Sequence, residues 1–80
     1  MQQFEINLRS FQQVQDFVSL ALQQDFDISV GNEHQHINGK ELLGMFSLDY
    51  SAPVQVSVNC DDDAFHTFRQ AVLQLHTAVK

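Results

Sequence analysis

Apolar and polar positions change period several times along the chain, and each change marks an element. Phe4, Ile6 and Leu8 alternate with Glu5 and Asn7, the period-two pattern of a half-buried strand. From Ser10 the spacing becomes helical: Phe11, Val14, Phe17, Val18, Ala21 and Leu22 recur at three- and four-residue intervals, predicting a helix that ends near Gln24. Ser10 and Gln13 have the spacing of a capping box, in which each side chain takes the other residue's free backbone N–H. Phe26, Ile28 and Val30 alternate with Asp27 and Ser29 as a second strand, and Gly31-Asn32, residues that tolerate positive φ, predict the turn after it.

A weaker strand is expected from His34 to Ile37, with Asn38-Gly39 as the next turn. Residues 40–48, Lys-Glu-Leu-Leu-Gly-Met-Phe-Ser-Leu, have the apolar density of a short helix that Gly44 weakens. Ser51-Ala52-Pro53 interrupts the chain, and Val54, Val56 and Val58 form the clearest alternating strand. Asp61, Asp62 and Asp63 stand where acidic side chains cap a helix and complement its dipole. Phe65, Phe68, Val72, Leu75 and Val79 would line one face of that helix. The order β-α-β-β-α-β-α predicts an α/β chain of the α+β type, one domain over residues 1–80, with helices on one face of an open sheet. No linker, repeat or low-complexity tract divides it.

Composition narrows what such a domain can do. An 80-residue chain has room for one thin core. Seven Phe, one Tyr and no Trp place the aromatics in packing, since Phe needs no polar partner when buried. Four Lys/Arg against ten Asp/Glu give a formal charge of −6. That charge repels nucleic acid and anionic membrane surfaces and suits a partner with a basic or apolar face. One cysteine, Cys60, can form neither an intramolecular disulfide nor a multi-Cys zinc site. No apolar run reaches membrane-spanning length, and Met1-Gln2-Gln3-Phe4-Glu5 lacks the basic and apolar regions of a signal peptide, so the expected location is the cytoplasm.

The segment Lys40-Glu41-Leu42-Leu43-Gly44-Met45-Phe46-Ser47-Leu48 resembles the Lys-Ser-aliphatic-Met-Gly-x-Met-x-Leu pattern of the HPr family, the histidine-containing phosphocarriers of the bacterial sugar phosphotransferase system. Asp27-Ile28-Ser29-Val30 resembles that family's strand entry after the first helix. Val54-Gln55-Val56-Ser57-Val58 and the acidic turn resemble its last strand and the start of its last helix. The likeness covers essentially the whole chain. It implies an HPr-like open-faced sandwich: a four-stranded, mostly antiparallel sheet with three helices on one face.

Departures from the pattern bear on function. The family carries Gly-x-His-Ala-Arg-Pro between the first strand and first helix, where its histidine accepts phosphoryl and its arginine stabilises the anion. This chain reads Leu8-Arg9-Ser10-Phe11-Gln12-Gln13, and ungapped matching back from Asp27 puts Ser10 in the histidine column with Arg9 beside it. An alcohol is no ready phosphoryl relay near neutral pH. Glu41 falls at the regulatory serine, where one carboxylate carries less charge than a phosphoserine. The resemblance therefore implies a non-catalytic, non-phosphorylatable regulatory or protein-binding paralogue without a cofactor. Its expected partner is a protein of the phosphotransferase or carbon-regulation network. The expected contact residues are Phe11, Leu42, Leu43, Met45 and Phe46, although the last four could equally belong to the core. Two alternatives stand beside this reading: a diverged phosphocarrier that uses Ser10, His34, His36, His66 or His76, and a structural or oligomerisation module.

The other candidate chemistry is thin. His34 and His36 would share a strand face, but two imidazoles without a third ligand make no metal site, and His66 and His76 are expected at the surface of the last helix. The three aspartates lack the alternating ligands, central Gly and distal Glu of a calcium loop. Cys60 has no basic neighbour in sequence to activate it.

Overall fold

A computed structural model describes residues 2–78, with side chains described through residue 75. In chain order the elements are β1 (Gln2–Ile6), α1 (Phe11–Leu22), β2 (Ile28–Gly31), β3 (His36–Asn38), α2 (Leu42–Phe46), β4 (Val54–Val58) and α3 (Asp62–Ala78). Among the described residues the strands form one four-stranded sheet in the order β1-β4-β2-β3, and every pairing is antiparallel. α1 packs between α2 and α3, α2 lies over β3 and α3 over β1. The chain is an α+β open-faced sandwich.

Register explains how the core is aligned. Val56 on the central β4 faces Phe4 on one side and Val30 on the other, and Val30 in turn faces Ile37, so one apolar row crosses the sheet. Val58 stands beside Ile28, and Val54 beside Ile6. These side chains project to the helix side, while Gln3, Glu5 and Gln55 occupy the exposed one. Val14, Phe17, Val18 and Ala21 of α1 cover the sheet. Phe68 of α3 is the aromatic hub, edge-on to Phe4, Phe17 and Phe26 with centroids 6.3, 6.0 and 5.8 Å away. No described buried side-chain nitrogen or oxygen lacks a hydrogen-bond partner.

Several elements are shorter than their patterns. β1 ends at Ile6, and Leu8 is buried from the following loop. β2 begins at Ile28, so Phe26 reaches Phe68 from a bend. The weak strand is displaced to His36–Asn38 because the Asn32 side chain accepts from the His34 and Gln35 N–H groups, at 2.8 and 3.0 Å, and folds those residues into a turn. His34 and His36 therefore do not share a strand face. The turn uses no positive φ. Gly31 is required for close approach: a Cβ there would lie 2.2 Å from the Gln35 carbonyl oxygen. The Asp61 carboxylate caps α3 by accepting from Ala64 N–H at 2.8 Å, with Asp62 and Asp63 in the first turn. Of the expected core face of α3, Phe68 and Val72 are buried, Phe65 and Leu75 are half-buried, and Val79 lies outside the described residues.

Candidate functional site

The amino end of α1 is built by side chains reaching backward. Ser10 has extended backbone, φ −149° and ψ 160°, and its Oγ accepts from Gln13 N–H at 3.1 Å. Gln13 is buried, and its Oε1 accepts from the Arg9 N–H. A capping box would send this second bond to Ser10; here it reaches one residue further back and pins the loop that carries Leu8 and Arg9. The Arg9 and Ser10 side chains stay exposed.

The long apolar pattern of α1 divides between two faces. Val14, Phe17, Val18 and Ala21 are buried, whereas Phe11 is 73% exposed and Leu22 62%. The Phe11 ring meets Phe46 of α2 edge-on, with centroids 5.2 Å apart and planes at 87°. Leu8, Arg9, Ser10, Phe11, Val14, Phe46 and Tyr50 line a groove of about 340 Å³ there. No histidine contributes to that lining.

α2 corrects the expected docking residues individually. Leu43 is 85% exposed, Leu42 and Phe46 are half-buried, and Met45 is fully buried. Met45 is thus a core residue that anchors α2 and cannot touch a partner. A five-residue helix resting on a sheet must turn one side chain fully inward, and here it is that of Met45. Gly44 lets α2 sit close to β3, since a Cβ there would lie 2.9 Å from Ile37 Cγ2. Glu41 occupies the cap position of α2, one residue before the helix. Its side chain makes no capping hydrogen bond and is exposed.

Tyr50 closes the floor of the groove. Its hydroxyl donates to the Met45 carbonyl oxygen, and burial pushes the phenol up to about 12. Nothing in the sequence singled out this residue. Leu22 was also missed as a surface residue, although it stands three helical turns from Phe11 and shares its azimuth.

The remaining candidates lie elsewhere. His34 and His36 line a separate concavity at the sheet end with Glu5, Glu33 and Asp49, and His66 is exposed on α3. The side chain of His76 lies outside the described ones. Among the described residues no group of three or more His, Cys, Asp or Glu is placed to hold a metal ion. Asp49 is held below the usual carboxylate range by the Ser51 backbone N–H and hydroxyl. The Cys60 thiol is pushed up by burial and by Asp61 and Asp62, which opposes thiolate formation. No described helix is long and apolar enough to cross a membrane.

Neither a protein-family model nor a curated protein matches this chain. Solved structures do. HPr-C-His from Thermoanaerobacter tengcongensis aligns with a TM-score of 0.74 and 24% identity, over 94% of this chain and 90% of that one. The phosphocarrier protein HPr of Bacillus anthracis aligns at 0.66 and 17% identity, over 99% and 96%. The Bacillus subtilis catabolite repression protein Crh aligns at 0.62 and 18% identity, over 90% and 86%. At these identities the likeness is one of architecture, and it shows that the chain has the HPr fold.

Proposed function

We propose that this chain is a single HPr-like domain that does not carry phosphoryl groups and acts by binding a protein of the phosphotransferase or carbon-regulation network in the cytoplasm. The observation that carries this reading is the composition of the groove at the amino end of α1. Arg9, Ser10 and Phe11 are there, but no histidine lines it. The Ser10 hydroxyl accepts the Gln13 N–H as a helix cap. It has no imidazole to act as its base, so it remains a poor nucleophile near neutral pH. Arg9 stays exposed beside the cap.

The second half of the reading is a docking face. Phe11, Leu43 and Phe46 present apolar area across α1 and α2. Glu41 sits beside that face with its carboxylate uncommitted to capping, so a fixed negative charge stands where the family resemblance places a regulatory serine. A partner sensitive to that charge loses affinity for Glu41→Ser.

Incubation with phosphoenolpyruvate and enzyme I from the same organism, followed by intact-mass measurement, tests the proposal. A bona fide HPr labelled in parallel and no adduct on this chain is the expected result. A stoichiometric adduct overturns it, and the acid stability of the adduct then separates Ser10 from His34, His36, His66 or His76 as the acceptor.

A further inference from the structure

We infer that the groove lined by Leu8, Phe11, Phe46 and Tyr50 binds a small-molecule carboxylate with an apolar body, such as an aryl- or alkyl-substituted short-chain acid. This goes beyond the protein partner proposed above and needs only the groove itself. Leu8 and Val14 are buried and supply an apolar floor. The Tyr50 hydroxyl is committed to the Met45 carbonyl oxygen, so what this residue offers a ligand is its ring. Phe11 and Phe46 form an aromatic corner, with centroids 5.2 Å apart and planes at 87°. The space, about 340 Å³, stands at the small end of the ~300–1,000 Å³ typical of small-molecule sites. It suits one ring or one short chain.

Charge decides the polar group that such a ligand carries. Arg9 and Ser10 stand in the same lining with exposed side chains, and no Asp or Glu joins them there. Among the described residues Arg9 is engaged through its backbone N–H, by Gln13, and its guanidinium has no partner. The Ser10 Oγ accepts from the Gln13 N–H, which leaves its own proton free to be donated. A guanidinium and a hydroxyl without a competing carboxylate fit an incoming carboxylate. Two other concavities differ in sign: one carries Glu5, Glu33 and Asp49, and the other sets Asp27 against Lys40. The formal charge of −6 on the chain penalises a dianion such as phosphate, which would also leave the apolar floor uncovered. A monoanion with an apolar body satisfies both halves of the lining.

Titration of the full, isotope-labelled chain with phenylacetate, followed by NMR chemical shifts, tests the assignment. The expected result is a set of saturable shifts centred on Leu8 to Val14, Phe46 and Tyr50. Phenylacetamide, its neutral analogue, binds about fivefold more weakly, the size of one exposed charge pair, and inorganic phosphate binds more weakly still. Arg9→Gln keeps the backbone N–H held by Gln13 and lowers the affinity for phenylacetate to that for the amide. Phe11→Ser, at an exposed position, weakens both ring-bearing ligands in folded protein. No saturable shift, or shifts confined to residues outside the groove, overturns the site. Equal affinity for acid and amide, unchanged by Arg9→Gln, overturns the carboxylate. Phosphate binding as tight as that of phenylacetate, with Phe11→Ser silent, overturns the apolar body.

Discussion

Replacing Met45 and Leu43 separately by alanine tests the division of α2 between core and surface. Met45→Ala removes the γ-carbon, sulfur and methyl from a fully buried site, whereas Leu43→Ala trims a side chain that is 85% exposed. Truncating a buried Met costs about 2–5 kcal/mol, depending on how far the surroundings close over the cavity. α2 has only five residues and can settle inwards, which favours the lower half of that range. The backbone bond from Tyr50 to the Met45 carbonyl survives the substitution and limits that movement. A loss of about 2–3 kcal/mol is expected. An 80-residue domain has a total stability of only about 4–12 kcal/mol at ~0.05–0.15 kcal/mol per residue, so a large share disappears. Leu43→Ala should stay within about 0.5 kcal/mol of the parent. Urea unfolding followed by circular dichroism reads the difference. With a slope near ~1 kcal/mol per molar urea, Met45→Ala lowers the midpoint by about 2 M or more and Leu43→Ala leaves it within about 0.5 M. A Met45→Ala cost below about 1 kcal/mol, or a Leu43→Ala cost above it, would refute the assignment of one residue to the core and the other to the surface.

Three further outcomes follow from the geometry. Ser10→Ala costs about 1 kcal/mol as a lost cap, and Gln13→Leu costs about 1–3 kcal/mol by leaving the Arg9 N–H unpaired; a double-mutant cycle with no coupling shows that the two bonds do not act as a unit. The single tyrosine makes ultraviolet titration specific to Tyr50, whose phenol should ionise near 12 in the folded chain. Because its folded value lies above the ordinary phenol value of 10.0, the Tyr50 contribution is intact below pH 10 and is lost as pH rises from 10 through about 12. Tyr50→Phe removes that pH-dependent contribution, and a titration midpoint at the ordinary phenol value contradicts the burial. Gly31→Ala forces the β2–β3 hairpin apart, since backbone oxygen cannot rotate away from the new methyl; it should cost about 1–3 kcal/mol and raise amide exchange across that ladder, and unchanged exchange would show the turn to be loose.

The long periodic segments were legible because their own spacing fixes which face is apolar. Val54, Val56 and Val58 had to share one side of a strand, and they form the centre of the sheet. Phe26 and His34 were misplaced in strands because alternation over a few residues does not register side-chain competition. The Asn32 side chain took the His34 and Gln35 N–H groups, and Phe26 was drawn from a bend to Phe68. At the candidate site, Ser10, Gln13 and Asp61 carried local capping signals that needed only their immediate neighbours to be realised.

The sequence by itself determined the order and type of the elements and the negative net charge, because each depends on identity and local spacing. Tertiary structure decided which apolar residues are core and which are surface. α1 carries more apolar positions than one buried face can use, and only the placement of α2 and α3 beside it leaves Phe11 and Leu22 uncovered while burying Val14 and Phe17. The same placement turns Met45 inward, leaves Leu43 outward and brings Tyr50 to the Met45 carbonyl. These outcomes depend on contacts between segments far apart in the chain, whose geometry no local period encodes.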